Sequence, residues 1–151
     1  MGGVHQMLLA GMPSKQLTIS ADTADYNLFT AAGSPPFAID VLLTINSGVH
    51  VYASTTATYA FDTGTGWAAG SKLRVVNNGL VIGRGGAGGN GGTGDISGSS
   101  AGAAGGAGGN ALRAQFAVTI DNTSGSVVAG GGGGAVGRGL HAGDRRHRNT
   151  S

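Results

Sequence analysis

The residues of this chain that could carry out chemistry are few and widely spaced. Its four histidines show no metal-ligand spacing with one another: His5, His50, His141 and His147. Asp22 and Asp25 lie three residues apart and could bind Ca²⁺ with backbone carbonyls, although turn capping is the commoner role for such a pair. The chain has no cysteine, no serine in a nucleophile elbow and no carboxylate pair in a recognisable acid–base setting. We therefore predict no catalytic site, no metal and no cofactor, and the chain is not expected to be an enzyme.

One stretch has the pattern of a phosphate-binding loop. Residues 83–88, GRGGAG, fit G-x-G-x-x-G and follow the apolar run 80–82. A dinucleotide site also needs a helix that begins on this turn and an acidic residue about 20 positions later. More glycine follows where the helix should be, and serine and alanine occupy the place of the acid. We therefore rank a nucleotide-binding enzyme last among the possible functions.

Glycine dominates the chain, with 32 of 151 residues, and much of it recurs in threes. Residues 85–93 read GGA-GGN-GGT, residues 105–110 read GGA-GGN, and residues 130–134 are all glycine. A period of three indicates an extended threefold helix of the polyglycine II type, in which residues 83–94 would span roughly 37 Å. Ala87, Asn90 and Thr93 would share one face, and only glycine would let neighbouring backbones approach. The alternative is a disordered arm, because ordering the backbone costs about 1–2 kcal/mol per residue.

Residues 15–82 have the pattern of short β-strands separated by turn residues. A strand–turn–strand repeat appears at 41–54, 73–86 and 117–132. Each copy has an asparagine where its first strand ends (Asn46, Asn77, Asn122) and a glycine in the turn that follows (Gly48, Gly79, Gly125). We predict that these residues supply positive-φ positions. Trp67, the only tryptophan, is predicted to fill the core.

The net charge of +2 is unevenly distributed. Residues 1–137 carry five Lys and Arg against six Asp, giving −1, whereas residues 138–151 carry four Arg against one Asp, giving +3. Because no aromatic residue lies among these arginines, we predict a solvated or assembly-docking tail and no nucleic-acid binding. No stretch approaches the roughly 20 apolar residues of a membrane helix, so no membrane insertion is expected. No targeting segment is evident at the start of the chain.

The order of the segments resembles a known family. SADTADYNLFTAAGSPP is followed by VLLTINSGVHVYAS, by NNGLVIG running into Gly-Gly-X, by ALR before the last repeat, and by VVAGGGGG. Over residues 15–137 this order is similar to the glycine-rich distal region of tail-fibre and host-specificity proteins of tailed bacteriophages. The resemblance implies a protein of the virion tail, a homotrimer, other phage tail proteins as partners, and a bacterial surface glycan or outer-membrane protein as receptor. The chain departs from the family pattern after Ala135.

These observations predict an all-β fold: a short-strand domain, sandwich or solenoid-like, followed by polyglycine II-type tracts intertwined as a trimer. We divide the chain into an N-terminal arm (1–14), a β domain (15–82), a glycine-rich region (83–137) with an inserted β-hairpin (112–129), and a basic tail (138–151).

The predicted function is a structural part of a phage tail tip that contributes to receptor recognition. The alternatives are a head fibre, a capsid decoration or another virion protein without receptor contact, and then a non-viral glycine-rich surface protein. The receptor candidates are Asn90, Thr93, Asp95 and Asn110. The predicted turn and packing residues are Asn77, Gly79, Gly85, Gly86, Gly88, Gly89, Gly91, Gly92, Asn122 and Gly125.

Overall fold

The computed structural model describes residues 11–95 and 98–134, and these residues are dominated by short strands. The strands are β1 (Ser14–Ile19), β2 (Thr23–Ala24), β3 (Tyr26–Asn27), β4 (Asp40–Ile45), β5 (His50–Tyr52), β6 (Phe61–Asp62), β7 (Lys72–Asn77), β8 (Leu80–Ile82), β9 (Gly94–Asp95), β10 (Gly98–Ser99), β11 (Leu112–Arg113), β12 (Val118–Asp121) and β13 (Ser126–Val128). One helical turn, α1 (Leu28–Ala31), follows β3. The all-β prediction is thereby confirmed.

The strands stack into three parallel sheets, which are the three faces of a β-solenoid. The first face has the order β1-β4-β7-β12, the second β13-β8-β5-β2, and the third β11-β6-β3. All pairs in these faces are parallel, so each strand pairs with its counterpart in the next coil. Of the two predicted alternatives, sandwich and solenoid, the pairing has the form of a solenoid.

The core lies between the three faces and is built from rows of aliphatic side chains. On the first face, Val41 pairs in register with Leu73, and Leu73 with Val118. In β4 and β7 every second residue is buried, as expected for strands with one face toward a core. Val118 is only partly buried because it belongs to the last coil, over which no described coil stacks.

The hairpin predicted within residues 112–129 is not formed. Strand β12 pairs with β7 and strand β13 pairs with β8, both in parallel. The turn between β12 and β13 leads the chain from the first face to the second instead of reversing it along the same sheet. The predicted repeats therefore correspond to coils, and the strands after the glycine-rich stretch extend the same sheets as those before it.

The turn glycines have two different roles. Gly48 has a φ of 78°, as the turn prediction requires. Asn46, Asn77 and Asn122 are not among the non-glycine residues with positive φ, so the prediction was wrong for these asparagines. It was also wrong for Gly79 and Gly125, which are not among the glycines with positive φ. They are needed because a Cβ on Gly79 would collide with the carbonyl oxygen of Val49, and one on Gly125 with the carbonyl oxygen of Asn77.

Asn77 is the buried polar residue that connects two coils. Only 1% of its surface is exposed. Its Nδ2 donates to Asn122 Oδ1 at 2.7 Å and to the Ser126 carbonyl at 3.1 Å, and its Oδ1 accepts from Gly79 N at 3.1 Å. Asn46 lies one position out of this row, because Ile45 rather than Asn46 is the register partner of Asn77.

Trp67 fills the core, as predicted. It is 7% exposed and lies between Phe29, at 5.1 Å in a T-shaped arrangement, and Phe116, at 6.3 Å. Its Nε1 donates to the Thr63 carbonyl at 2.8 Å, which satisfies the one polar atom that a buried tryptophan carries.

Three glycine-rich segments run beside one another outside the solenoid. The first (83–93) leaves β8, the second (100–110) returns to β11, and the third (129–134) leaves β13. The first donates backbone hydrogen bonds from Gly83 to Val128 at the end of β13, and from Gly86 and Gly89 to Gly131 and Gly134 of the third. The second donates to the first, from Ala103, Gly106 and Gly109 to Asn90, Ala87 and Arg84, and the third donates to the second from Gly130 and Gly133 to Gly109 and Gly106. Each segment thus bonds to both others at every third residue, with the second running opposite to the other two.

Several predictions lie outside the described residues. They are the N-terminal arm up to residue 10, the basic tail at 138–151, and His5, His141 and His147. Within the described residues, no helix is long and apolar enough to cross a membrane.

Candidate functional site

The first and second glycine segments end in a tip. The short strands β9 and β10 pair antiparallel there, with Asp95 opposite Gly98. Just before them, Ser100 N donates to the Thr93 carbonyl at 2.9 Å, and the hydroxyls of these residues lie 2.7 Å apart. Thr93 N also donates to Ser100 Oγ at 3.2 Å. The two segments are therefore fastened by a pair of exposed hydroxyls directly beneath the tip.

Three of the four predicted receptor residues lie at or near this tip. Asn90 and Thr93 are exposed, and Asp95 lies in β9. The fourth, Asn110, is also exposed but lies at the opposite end of the segments, where Gly109 N donates to the Arg84 carbonyl at 2.7 Å. Thr93 lies nine positions after Arg84, which at an extended rise is roughly 28 Å. Asn110 therefore does not share one contact surface with the other three.

The predicted packing glycines fall into an inward row and an outward row. A Cβ on Gly86 would collide with the Gly106 carbonyl, one on Gly89 with the Ala103 carbonyl, and one on Gly92 with the Ser100 carbonyl. Gly85 and Gly88 face outward: the nearest atoms to an added Cβ are carbonyl oxygens at 3.8 and 4.0 Å. Gly91 is exposed and occupies the next position of this outward row. The close approach of the segments thus depends on one glycine in three.

A cluster of polar side chains on the third face was not anticipated from the sequence. Asp62 is 7% exposed and accepts from Gly64 N at 2.9 Å, from Gln115 Nε2 at 2.9 Å, and from Arg113 Nε at 3.0 Å. The Arg113 guanidinium lies over the Tyr59 ring, 4.5 Å from its centre. The sequence signal was weak, because Asp62 and Arg113 are 51 residues apart and become neighbours only through the pairing of β6 with β11.

The charge on Asp62 is stabilised by this cluster. Burial raises the pKa of its carboxyl, but the hydrogen bonds from Arg113, Gly64 and Gln115 outweigh burial and lower the pKa below its usual value. The hydrogen bond to Asp62 raises the pKa of Arg113 further. These side chains border a cleft of about 240 Å³ lined by Asp25, Asn27, Ala57, Thr58, Tyr59, Asp62 and Arg113. Because Asp62 is already bonded by three residues of the chain, we assign the cluster to holding the third face together.

Asp22 and Asp25 cap loops of the neighbouring coil, the role favoured over Ca²⁺ binding. Asp22 Oδ1 accepts from His50 N at 2.8 Å, and this backbone hydrogen bond is the main cause that lowers the pKa of Asp22. Asp25, at a φ of 49°, accepts from Ser54 N at 2.9 Å, and Ser54 lowers its pKa. The described residues hold no group of three or more His, Cys, Asp or Glu side chains placed for a metal ion.

The fold and the tip define an all-β solenoid protein that carries a glycine-rich extension. A family model described as phage tail fibre adhesin Gp38 matches residues 14–147. The chain therefore belongs to the phage tail fibre adhesin Gp38 family, and it is a protein of the virion tail. The predicted resemblance to tail-fibre and host-specificity proteins is confirmed. No curated protein and no solved structure matches the chain.

Proposed function

We propose that the chain acts as a receptor-binding adhesin of the tail fibre and contacts the bacterial surface through the tip, whose described residues are 90–95 and 98–100. The family supports an adhesin role, and the observation that carries the location is the shape of the glycine-rich excursion. The first segment leaves the solenoid after β8, the second returns to it at β11, and the pairing of β9 with β10 lies at the opposite end of these two segments. Polar side chains at such an end suit contacts with a surface glycan or an outer-membrane protein.

We interpret the three glycine segments as polyglycine II helices that make this extension stiff. The support is the three-residue spacing of the hydrogen bonds between segments and the three-residue spacing of the glycines that tolerate no Cβ. A flexible glycine linker requires neither regularly spaced hydrogen bonds nor regularly spaced glycines. A stiff extension would hold the tip at a fixed distance from the solenoid and so reduce the entropy lost when a receptor binds.

The homotrimer remains an expectation from the family resemblance. The glycine period predicts close hydrogen-bonded neighbours, either in another protomer or in another glycine segment of the same chain. The period-three bonds described between the segments lie within one chain, so the glycine period does not by itself require a second protomer. Sedimentation or light scattering of the purified chain would measure its oligomeric state.

The tip assignment is tested by a matched pair of substitutions in an adsorption assay. Asn90 and Asn110 each end a Gly-Gly-Asn triplet, both are exposed, and they lie near opposite ends of the extension. We expect the purified chain to compete with phage for adsorption to host cells. Asn90→Lys should weaken this competition at least about tenfold, which corresponds to the loss of one central contact of about 1.4 kcal/mol. Asn110→Lys should compete as well as the unaltered chain. Equal loss in both variants would contradict the tip assignment.

The second candidate, a virion part without receptor contact, predicts a different outcome. In that case the purified chain would not reduce phage adsorption at any concentration. Labelled antibody against the chain would then bind particles without blocking infection. The family match favours the adhesin over this alternative.

A further inference from the structure

Two asparagines of the chain are followed by glycine, and the structure places them in very different surroundings. They are Asn78, before Gly79, and Asn90, before Gly91. In an Asn–Gly pair the backbone nitrogen of glycine can attack the asparagine side-chain carbonyl carbon, because glycine has no side chain to hinder the approach. Ammonia leaves as a cyclic succinimide forms, and water then opens the ring to aspartate or isoaspartate. The reaction consumes one water, releases one ammonia and needs no oxidant or reductant.

The pair at Asn78 is held in a geometry that opposes this attack. Asn78 N donates to the Ile45 carbonyl at 3.0 Å, and Gly79 N donates to Asn77 Oδ1 at 3.1 Å. The Gly79 carbonyl also accepts from Ser126 N at 3.0 Å, and a Cβ at Gly79 would collide with backbone carbonyl oxygens of the turn between β4 and β5. The attacking nitrogen is therefore engaged, and the peptide cannot rotate unless the coil opens locally.

The pair at Asn90 is open. Both Asn90 and Gly91 are exposed, and among the described residues neither the Asn90 side chain nor Gly91 N has a hydrogen-bond partner. By its three-residue spacing Gly91 follows Gly85 and Gly88, at which an added Cβ would meet no atom closer than 3.8 Å. The Asn90 carbonyl is held by Ala103 N at 2.9 Å, but this bond does not involve the two reacting groups.

The position of this pair gives the reaction a consequence. Asn90, whose carbonyl accepts from Ala103 N, is the last such position before the Thr93–Ser100 contact beneath the tip. Isoaspartate adds one carbon to the backbone and so shifts every later residue out of the three-residue register. Either product also adds a negative charge at neutral pH, which lowers the formal net charge of the chain from +2 to +1.

We propose that Asn90 is a site of spontaneous deamidation and that its modification inactivates the tip as the adhesin ages. The loss of binding rests on the proposed function, whereas the modification itself does not. The full chain is incubated in mildly alkaline and in mildly acidic buffer, and peptides around residues 78 and 90 are analysed by mass spectrometry with fragmentation that separates isoaspartate from aspartate.

We expect deamidation at Asn90 to exceed that at Asn78 by at least about tenfold, because Asn78 reacts only after local opening, and to be faster in the alkaline buffer. Gly91→Ala should slow the reaction at Asn90, since a methyl group hinders the attack. Equal reaction at both asparagines, or reaction at Asn78 alone, would overturn the proposal.

Adsorption competition measures whether deamidation of Asn90 reduces receptor binding. Each aged sample is compared with a fresh sample of the same variant. We expect aged wild type to lose competition in proportion to the modified fraction, and Gly91→Ala to lose less over the same time. Modified chain that competes as well as fresh chain would refute inactivation. A fresh chain that does not compete would refute the proposed function while leaving the mass-spectrometric result intact.

Discussion

Asp62 illustrates how a single carboxylate connects two distant parts of the chain. Its side chain is 10% exposed and is bonded by Arg113 from another coil. We expect Asp62→Asn to lower the free energy of unfolding by about 1–3 kcal/mol at neutral pH, because it removes the charge that Arg113 and Gln115 surround. Denaturant unfolding measures this loss. Asp121→Asn, at an exposed carboxylate bonded only within its own turn, serves as the control and should change stability little.

The pH dependence of this effect follows from the lowered pKa of Asp62. A carboxyl whose pKa is lower in the folded state contributes stability above its unfolded pKa of about 3.9, and the contribution is lost as pH falls through the folded value. The difference between wild type and Asp62→Asn should therefore be full near neutral pH and shrink in acid. A difference that grows in acid would contradict the assigned role.

At the residue scale, the sequence predicted local roles better than long-range partners. Trp67 in the core and the capping by Asp22 and Asp25 follow from residue type and neighbours. The bond between Asn77 and Asn122 does not, because these residues are 45 positions apart and meet only through the pairing of coils. Asp62 was missed for the same reason.

The inward and outward rows of glycine give a direct test at the scale of the elements. We expect Gly86→Ala to disrupt the segments, because its Cβ would collide with the Gly106 carbonyl, whereas Gly85→Ala has 3.8 Å of clearance. Hydrogen exchange is the measurement: in Gly86→Ala the amides of Gly83, Gly86 and Gly89 should lose protection. In Gly85→Ala they should keep it, and stability should rise by about 0.4–1 kcal/mol, because alanine has less freedom than glycine in the unfolded chain. Equal protection in both variants would mean that the segments do not pack as described.

The sequence showed the two-residue pattern of the strands and the three-residue pattern of the glycine segments. It did not show which strands or segments pair with one another. Alternating apolar residues predicted strands, and Gly-Gly-X triplets predicted segments that need close neighbours. A strand–turn–strand pattern is common to a hairpin and to a solenoid corner, however, and only the direction of the chain after the turn separates them. That direction depends on packing against other coils, such as the contact of Gly125 with Asn77.

On the scale of the whole molecule, the glycine-rich excursion is an insertion into a continuous solenoid. The chain leaves the second face after β8 and returns to the third face at β11, which pairs with β6. At the base of the excursion Gly109 N donates to the Arg84 carbonyl, so the two ends are already neighbours. The sequence predicted a β domain followed by a glycine-rich region. It did not predict that strands after the glycine-rich region extend the sheets formed before it, because the sequence does not show where the chain rejoins the solenoid after residue 110.

This arrangement makes the excursion removable. We expect a variant in which the 24 residues 85–108 are replaced by a two-residue turn to keep the solenoid folded. The bonds of the first and second segments are lost, but closing a loop of two residues instead of 24 costs about 2 kcal/mol less entropy, which offsets part of that loss. Circular dichroism and hydrogen exchange of β4 and β7 should remain close to those of the full chain. Adsorption competition, in contrast, should be abolished, because the tip is gone. Unfolding of this variant would show that the solenoid depends on the glycine segments, and retained competition would place the receptor contact on the solenoid.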